Sequence, residues 1–350
     1  MLYKINKNVF CEANILKNIL PSFNIYNADI TMVKFKDTDK QRAVYKVTTL
    51  NNSYCLKKIY FSEEELLYVY SALEWLYRNN INVPKLLPSS NGGRYTKYND
   101  MLFILTPWIE GNKCSFDSHD NIIKASIELA KLHESSINFK AIEGSSIRTG
   151  FDNIYESLSK HSEQILRMSN LAFKYKDNFS EKYLDDFDIN LELCKLSLNC
   201  ASKINISNLS KSLCHGDYVN KNILFTQNND LWIIDFDNCK NDYCAHDFSY
   251  FLRRLLKREK TNWNIDIAFS MLNAYNSTKT LSPSDLHYII AYLCFPQKYW
   301  KISKDYYKNI CMCNKDSYLK LITKCSKNQL THLNFCKNII EIMENINWTL

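Results

Sequence analysis

One stretch of sequence decides which fold this chain can adopt. It is His215-Gly216-Asp217-Tyr218-Val219-Asn220-Lys221-Asn222-Ile223-Leu224, followed by Ile233-Ile234-Asp235-Phe236-Asp237. The apolar runs at 223–225 and 231–234 have the length of short buried strands. Between them lies Asn228-Asn229-Asp230, a run of turn-forming residues. The pattern predicts a hairpin with Asn222 and Asp235 at one end.

The residue types in this hairpin suit phosphoryl transfer from Mg-ATP. Asn222 follows Asp217 by five positions, the spacing of a phosphotransfer catalytic loop. Asp217 is the candidate catalytic residue, a carboxylate that orients the acceptor hydroxyl. Asn222 and Asp235 are the candidate metal ligands, because Mg²⁺ prefers carboxylate and amide oxygens. His215 and Gly216 are expected to hold the loop in shape. A lone His-Gly-Asp is a common turn sequence, but the combined pattern favours a nucleotide site over coincidence.

Composition restricts the class of protein. The chain has 350 residues and a formal net charge of +7, with its Lys and Arg spread along the sequence, so we expect solvated surface rather than a nucleic-acid partner. No apolar run is long enough to predict a membrane span. The first residues lack a secretory signal pattern, so synthesis in the cytoplasm is expected. The 13 cysteines show no zinc spacing and are interpreted as reduced thiols.

The order of elements predicts an α+β protein with two lobes. Residues 1–106 form a β-rich N-terminal lobe, with strands at 31–35, 43–48, 54–60 and 101–105, a helix from Glu63 to Tyr77 capped by Ser62, and a hairpin turn at Asn91-Gly92-Gly93. A connector covers 107–112. Residues 113–350 form a larger helical lobe that includes the hairpin at 213–237, with long helices near 152–177 and 181–202.

Taken together, these segments resemble the aminoglycoside/choline-kinase branch of the protein-kinase-like fold. The motifs that carry the resemblance are His-Gly-Asp with Asn five positions on, the Ile-Asp-Phe-Asp at 234–237, and the Leu-Ala-Lys-Leu-His at 129–133. Within that branch the chain is most similar to the CotS family of spore-coat proteins. Three segments carry this second resemblance: 43–58, the connector 105–111, and Phe295-Pro296-Gln297-Lys298-Tyr299-Trp300-Lys301-Ile302 with Tyr306-Tyr307.

The resemblance implies further roles. A lysine on the third strand should contact the α and β phosphates of ATP, and alignment favours Lys57 over the adjacent Lys58. Its glutamate partner could be any residue from Glu63 to Glu65. The connector should offer backbone groups of Trp108 and Ile109 to adenine, although Trp108 could equally cover the core. His133 is expected to be a hydrogen-bonded core histidine, and Asp247 either a brace for the catalytic loop or a helix N-cap.

One departure from the family pattern concerns the turn at 36–42, which contains no glycine. Backbone N–H groups approach phosphates most closely where glycine permits it, so we expect ATP to bind weakly, with help from Lys40 and Arg42.

Three functions stay open: a spore-coat protein that phosphorylates a small hydroxylated molecule or a coat component; a degenerate kinase fold that assembles with other coat proteins; and a small-molecule kinase of the aminoglycoside or choline type. The first two place the protein finally in the spore coat.

Overall fold

The computed structural model describes residues 10–36 and 41–345, which divide into two compact units. The first unit takes in the described chain up to Ser115, together with Ser135–Thr149 and His215–Lys240. The second takes in Phe116–Glu134, Gly150–Cys214 and the described chain from Asn241 onward. Strands dominate the first unit and helices the second, which confirms the predicted α+β class.

The body of the first unit is a five-stranded antiparallel sheet. Its strands are β1 (Asp29–Lys36), β2 (Arg42–Thr48), β3 (Ser53–Lys58), β4 (Thr96–Tyr98) and β5 (Met101–Pro107). They lie in the order β1-β2-β3-β5-β4. Alternate residues of β2 are buried, and Tyr45 packs with Leu56, Phe103 and Ile15 of helix α1 (Glu12–Asn18) in one hydrophobic core. This arrangement confirms the predicted strand-rich N-terminal region.

The hairpin turn of this sheet is not where the sequence pattern predicted it. Asn91-Gly92-Gly93 does form a turn, with Gly92 at φ +82, but it joins irregular segments. Strands β4 and β5 are joined instead at Asn99-Asp100, with φ of 48 and 59. A two-residue hairpin of this kind needs positive φ at both central residues, and Asn and Asp tolerate it better than other non-glycine residues.

Helix α2 (Glu63–Arg78) follows β3. The Ser62 hydroxyl accepts from the Glu65 N–H, and the Glu65 carboxylate accepts from the Ser62 N–H, which is a complete capping box. The apolar face predicted from helical spacing is buried, at Leu66, Val69, Leu73 and Leu76. The predicted start of this helix is therefore confirmed.

The hairpin that carries the candidate site belongs to the first unit. It consists of β8 (Ile223–Phe225) and β9 (Leu231–Ile233), with β6 (Asn112–Lys113) on the outer side of β8. The Asn82 carbonyl accepts from the Ile233 N–H at 3.0 Å, and the Asn82 amide donates to the Leu231 carbonyl at 3.1 Å. These bonds hold the hairpin against the segment after α2, so residues 215–240, assigned above to the helical lobe, group with the first unit.

The second unit is helical, apart from a two-stranded pair formed by β7 (Lys211–Cys214) and β10 (Lys240–Tyr243). Its helices are α3 (His119–Ser135), α4 (Ile154–Tyr175), α5 (Asn178–Asp185), α6 (Phe187–Ser202), α7 (Cys244–Leu256), α8 (Ile265–Asn276), α9 (Pro283–Cys294), α10 (Gln297–Lys308), α11 (Lys315–Ser326) and α12 (Gln329–Asn345). No helix among the described residues has the length and apolarity to cross a membrane.

The single helix predicted over 181–202 is wrong in detail, because α5 ends and α6 begins at Asp186. The Asp186 carboxylate is hydrogen-bonded to Lys182 and Ser326, which stabilises the junction.

The aromatic segment at 295–307 lies in the core of this unit. Tyr299 stacks on Tyr183 with ring centroids 4.8 Å apart, and Tyr306 stacks on Phe179 at 3.8 Å. The segment therefore has a packing role.

Candidate active site

The loop that follows β7 owes its shape to a glycine. Gly216 has φ +75, and a Cβ at this position would lie 2.4 Å from the carbonyl oxygen of Asn238. Both the left-handed backbone and the close approach exclude a larger residue without rearrangement. The side chain of Asp217 is thereby presented at the start of the hairpin.

His215 connects this loop to the end of β9. Its Nδ1 accepts from the Asp217 N–H at 3.1 Å, so the ring proton is on Nε2, which donates to the Ile234 carbonyl at 3.0 Å. The ring is fully buried. With its donor and its acceptor both hydrogen-bonded, the neutral His215 imidazole fixes the conformation of the loop. These contacts agree with the role expected for His215 and Gly216.

Asp217 and Asn222 are in direct contact. The Asn222 amide nitrogen donates to the Asp217 carbonyl oxygen at 2.9 Å and to its carboxylate at 3.1 Å. The ammonium of Lys221 lies 3.3 Å from the same carboxylate. Because the amide nitrogen of Asn222 is used in this way, its Oδ1 is the atom left for a metal ion. Asn222 is 4% exposed, so its orientation is held by packing as well.

Asp235 occupies a left-handed backbone conformation, with φ 68 and ψ 60. For a residue other than glycine this costs on the order of 1 to 2 kcal/mol. Such strain persists where the surroundings hold it, and it clusters at functional sites. The conformation directs the chain out of β9 into a 3₁₀ turn at Phe236–Asn238, which brings a second carboxylate, Asp237, beside the first.

Lys57 of β3 is the partner of both carboxylates. Its ammonium lies 2.7 Å from Asp235 Oδ1 and 2.6 Å from Asp237 Oδ1. Burial lowers the pKa of Lys57, but the two carboxylates outweigh that effect and raise it. Burial likewise raises the pKa of Asp235, and the charge of Lys57 outweighs it, so that this pKa is lowered. Lys57 and Asp235 therefore carry opposite charges at neutral pH, and together with Asp237 they are called the charged cluster below.

The structure separates Lys57 from its neighbour. Successive residues of a strand face opposite sides, and Lys58 donates instead to the Gln41 carbonyl at 3.1 Å. The predicted choice of Lys57 thus agrees with the geometry, but its partners here are aspartates rather than a glutamate of α2. Glu65 belongs to the capping box, and Glu63 accepts from the Tyr95 hydroxyl.

Asp237 is a candidate site residue that the sequence analysis did not single out. It is 5% exposed, and among the described residues its Oδ2 has no hydrogen-bond partner. Arg148 donates to its backbone carbonyl at 2.6 Å, which anchors the turn. The only signal for Asp237 was the second aspartate of Ile-Asp-Phe-Asp. Its free buried oxygen, with Asn222 Oδ1 and the Asp235 carboxylate, makes a donor set of hard oxygens that suits Mg²⁺.

The connector uses part of its backbone in the sheet. The Trp108 N–H donates to the Ser53 carbonyl at 3.0 Å, so this N–H is not available for adenine, contrary to the expectation above. The reason is that strand pairing between β3 and β5 extends one residue beyond Pro107. The Lys46 ammonium lies 4.9 Å from the centre of the half-buried Trp108 ring and 2.6 Å from Glu110. Ile109 remains the predicted backbone contact.

Further positive charge lies on the first two strands. Lys34 of β1 is exposed and interacts electrostatically with Asp235 and Lys221. Arg42 stacks on Tyr60, with its guanidinium carbon 3.9 Å from the ring centre. Residues 37–40, and with them Lys40, lie outside the described residues.

In the second unit, His133 is a satisfied core histidine, as predicted. It is fully buried, with Nδ1 2.7 Å from the Tyr275 hydroxyl and Nε2 3.4 Å from Asp247 Oδ2. Asp247 lies inside the first turn of α7, whose N-cap is Tyr243, so the N-cap alternative for Asp247 is wrong. Its hydrogen bond to His133 explains its burial instead.

Comparison with known proteins places this geometry in context. A model of the phosphotransferase enzyme family matches residues 38–277. The aminoglycoside phosphotransferase of Alicyclobacillus acidocaldarius subsp. acidocaldarius DSM 446 is 17% identical, with a TM-score of 0.73 over 93% of this chain and 96% of that one. Spectinomycin phosphotransferase APH(9)-Ia with ADP and spectinomycin is 15% identical, with a TM-score of 0.66 over 93% and 97%. Amicoumacin kinase hAmiN with AMP-PNP, Ca²⁺ and its ligand is 17% identical, with a TM-score of 0.60 over 98% and 97%. The predicted kinase-like fold is confirmed.

Proposed function

Because the chain belongs to the phosphotransferase enzyme family, we propose that it transfers the γ-phosphoryl group of ATP to a hydroxyl group of a small molecule, with Mg²⁺ as cofactor. The observation that carries this proposal is the charged cluster, in which Lys57 of β3 binds Asp235 and Asp237 just after the hairpin that the Asp217–Asn222 pair precedes. Such a cluster provides both a cation for phosphate and oxygen ligands for a metal.

Each residue has one task in the proposed reaction. Asp217 accepts a hydrogen bond from the acceptor hydroxyl and orients its oxygen toward the γ-phosphorus. Lys57 binds the α and β phosphates. Asn222, Asp235 and Asp237 would hold the metal ion, and Mg²⁺ bound there would neutralise negative charge on the phosphates. Lys221, beside Asp217, adds positive charge where the phosphoryl group is transferred.

Two relatives support nucleotide and metal binding, since one was solved with ADP and another with AMP-PNP and Ca²⁺. We expect ATP affinity in this chain to be weak. The loop between β1 and β2 has no glycine, and Arg42 is engaged with Tyr60. Lysine side chains then carry phosphate binding in place of a preorganised backbone, and their contacts are screened by salt.

For the acceptor we propose a hydroxylated small molecule, as for the relatives that modify spectinomycin or amicoumacin. For the location we propose the coat of bacterial endospores, on the resemblance of segments 43–58, 105–111 and 295–307 to CotS proteins. A structural coat protein that has lost catalysis is the second candidate, and the glycine-free loop favours it.

The first experiment measures thermal stabilisation by Mg-ATP. Wild-type protein should melt at a higher temperature with millimolar Mg-ATP, because a ligand that binds only the native state stabilises it. Asp235→Ala should lose most of the rise, whereas Asp230→Ala, an exposed carboxylate on the same hairpin, should keep it. An equal rise in Asp235→Ala would remove Asp235 from the metal site. Absence of any Mg²⁺-dependent rise in wild type would favour the structural candidate.

A second experiment separates the two candidates directly. Purified protein is incubated with Mg-ATP and a panel of amino-alcohols, sugars and aminoglycosides, and ADP release is followed with and without each acceptor. Acceptor-dependent ADP release supports the enzyme. Failure with every acceptor, together with recovery of a fluorescent fusion in the coat fraction of spores, would support the structural protein.

A further inference from the structure

Three metal-ligating side chains converge in the core of the second unit, outside the candidate active site. They are His133 on α3, Cys214 at the end of β7 and Cys244 at the start of α7. One ligand atom from each lies within 4.8 Å of the others. None of the three is more than 1% exposed. Three separate elements thus place one imidazole and two thiols around a single point.

The backbone around this point is held by several hydrogen bonds. The Ser212 hydroxyl donates to the His133 carbonyl at 2.7 Å, which ties α3 to β7. The Cys244 N–H donates to the Ser210 carbonyl at 3.0 Å, which ties α7 to the residue just before that strand. The backbones that carry the three ligands are therefore held together by the fold.

The imidazole is oriented as a metal-bound histidine usually is. Its Nδ1 is hydrogen-bonded to the Tyr275 hydroxyl at 2.7 Å, and a metal ion on Nε2 would take the place of that nitrogen's hydrogen bond to Asp247. Histidines that ligate a metal generally use their second ring nitrogen for such a bond, and this bond sets the tautomer. Asp247 Oδ2 lies 3.4 Å from Nε2, so a carboxylate oxygen is at hand as a fourth ligand.

We propose that His133, Cys214 and Cys244, with Asp247 as the fourth ligand, form a structural site for a thiophilic divalent metal ion, Zn²⁺ first among them. Bond lengths of about 2.0 to 2.3 Å place the ligands of a tetrahedral zinc ion roughly 3.3 to 3.8 Å apart, and small side-chain rotations close the remaining distance. Two sulfur ligands and an imidazole favour zinc over Mg²⁺ or Ca²⁺, which require oxygen. This proposal is independent of the proposed phosphotransfer.

The burial of the site determines how it is filled. An ion cannot reach a cluster of three fully buried ligands in the folded chain, so it enters during folding and stays. Binding would then contribute to the stability of the second unit, because the unfolded chain has no such arrangement of ligands. It would also immobilise Cys214, which is the residue immediately before His215 in the chain.

The test uses the full-length chain, unfolded with denaturant under reducing conditions and refolded with one equivalent of Co²⁺ or Zn²⁺. We expect refolded wild type to show thiolate-to-cobalt charge transfer in the near ultraviolet and the intense visible bands of tetrahedral cobalt. Mass spectrometry should find about one zinc ion per chain after dialysis. Cys214→Ser and Cys244→Ser should each lower retained zinc by about tenfold. Cys294→Ser, a buried thiol of the same unit outside the cluster, should retain it.

Circular dichroism verifies that each variant has refolded, and the wild-type cobalt spectrum is decisive even where a variant fails to fold. Wild type that refolds without a charge-transfer band and without zinc would overturn the proposal, since the three side chains would then be an ordinary hydrogen-bonded core cluster. Equal zinc loss in Cys294→Ser and Cys244→Ser would overturn it as well, because the metal would be held by unspecific thiol contacts.

Discussion

Replacing Lys57 by methionine tests the charged cluster at its centre. The substitution keeps the length of the side chain and removes the ammonium that lies 2.7 Å from Asp235 and 2.6 Å from Asp237. Two neighbouring carboxylates then remain without their cation, and the Asp237 side chain is only 6% exposed. We expect the variant to fold with reduced stability at neutral pH.

The size of the effect follows from the geometry. At an effective dielectric constant near 20, two unit charges about 2.7 Å apart interact by roughly 6 kcal/mol before the cost of desolvation. Removing one partner of a buried pair typically costs about 3 to 5 kcal/mol. Since the Asp235 side chain is 30% exposed, water screens part of this, and we expect about 3 kcal/mol. The melting temperature should fall by roughly 4 °C, since unfolding of a 350-residue chain carries an entropy of about 0.7 kcal/mol/K.

The pH dependence has a definite sign. Lys57 lowers the pKa of Asp235, so the stabilising contribution of this ion pair is complete at neutral pH and disappears as the pH falls and Asp235 is protonated. The difference between wild type and Lys57→Met should therefore be largest near pH 7, begin to shrink below about pH 5, and vanish only once the pH has fallen through the lowered pKa of Asp235. Millimolar Mg²⁺ alone should stabilise the variant more than wild type, because it replaces the missing cation.

Differential scanning fluorimetry on five proteins completes the test: wild type, Lys57→Met, Lys58→Met, Asp237→Asn and the double variant Lys57→Met/Asp237→Asn. Lys58→Met removes the same charge from the adjacent residue, whose ammonium has a carbonyl partner, and should lose no more than about 1 kcal/mol. Lys57→Met combined with Asp237→Asn should be more stable than the sum of the single effects by about 2 kcal/mol. Strict additivity, or equal losses in Lys57→Met and Lys58→Met, would refute the reasoning.

Three further predictions concern other parts of the chain. If the protein is an enzyme, Asp217→Asn should lower kcat, measured by ADP release, by roughly 10²- to 10⁴-fold. Its Mg-ATP affinity, measured by calorimetry, should change by less than about threefold. Unchanged turnover would remove the role assigned to Asp217. Gly216→Ala should lower the melting temperature far more than Gly92→Ala, since both have positive φ but only the first meets a carbonyl, that of Asn238, at 2.4 Å; similar losses would show that the contact is unimportant. Burial raises the pKa of Asp177, but hydrogen bonds from a tyrosine, a lysine and a serine lower it to about 2. Asp177→Asn should therefore lower the free energy of unfolding by about 1 kcal/mol at pH 7. In urea titrations this difference should shrink between about pH 4 and pH 2.

The sequence by itself was sufficient for the hairpin and its motif. Asp217 and Asn222 are five residues apart, so their contact depends on local backbone geometry alone. The capping box of α2 and the left-handed glycine at 216 are local in the same sense. Short-range sterics and hydrogen bonds leave few conformations for such segments, and the residue types that satisfy them are recognisable without a structure.

Tertiary structure decided what depends on contacts between distant residues. Lys57 and Asp237 are separated by 180 positions, and no pattern along the chain showed that an aspartate, rather than a glutamate of α2, is the partner of the lysine. The hydrogen bond from the Trp108 N–H to the Ser53 carbonyl follows from strand pairing. His133, Cys214 and Cys244 meet only because three elements pack together. Such contacts arise from the packing of whole elements, in which each residue's partner is set by the register and burial of all the others.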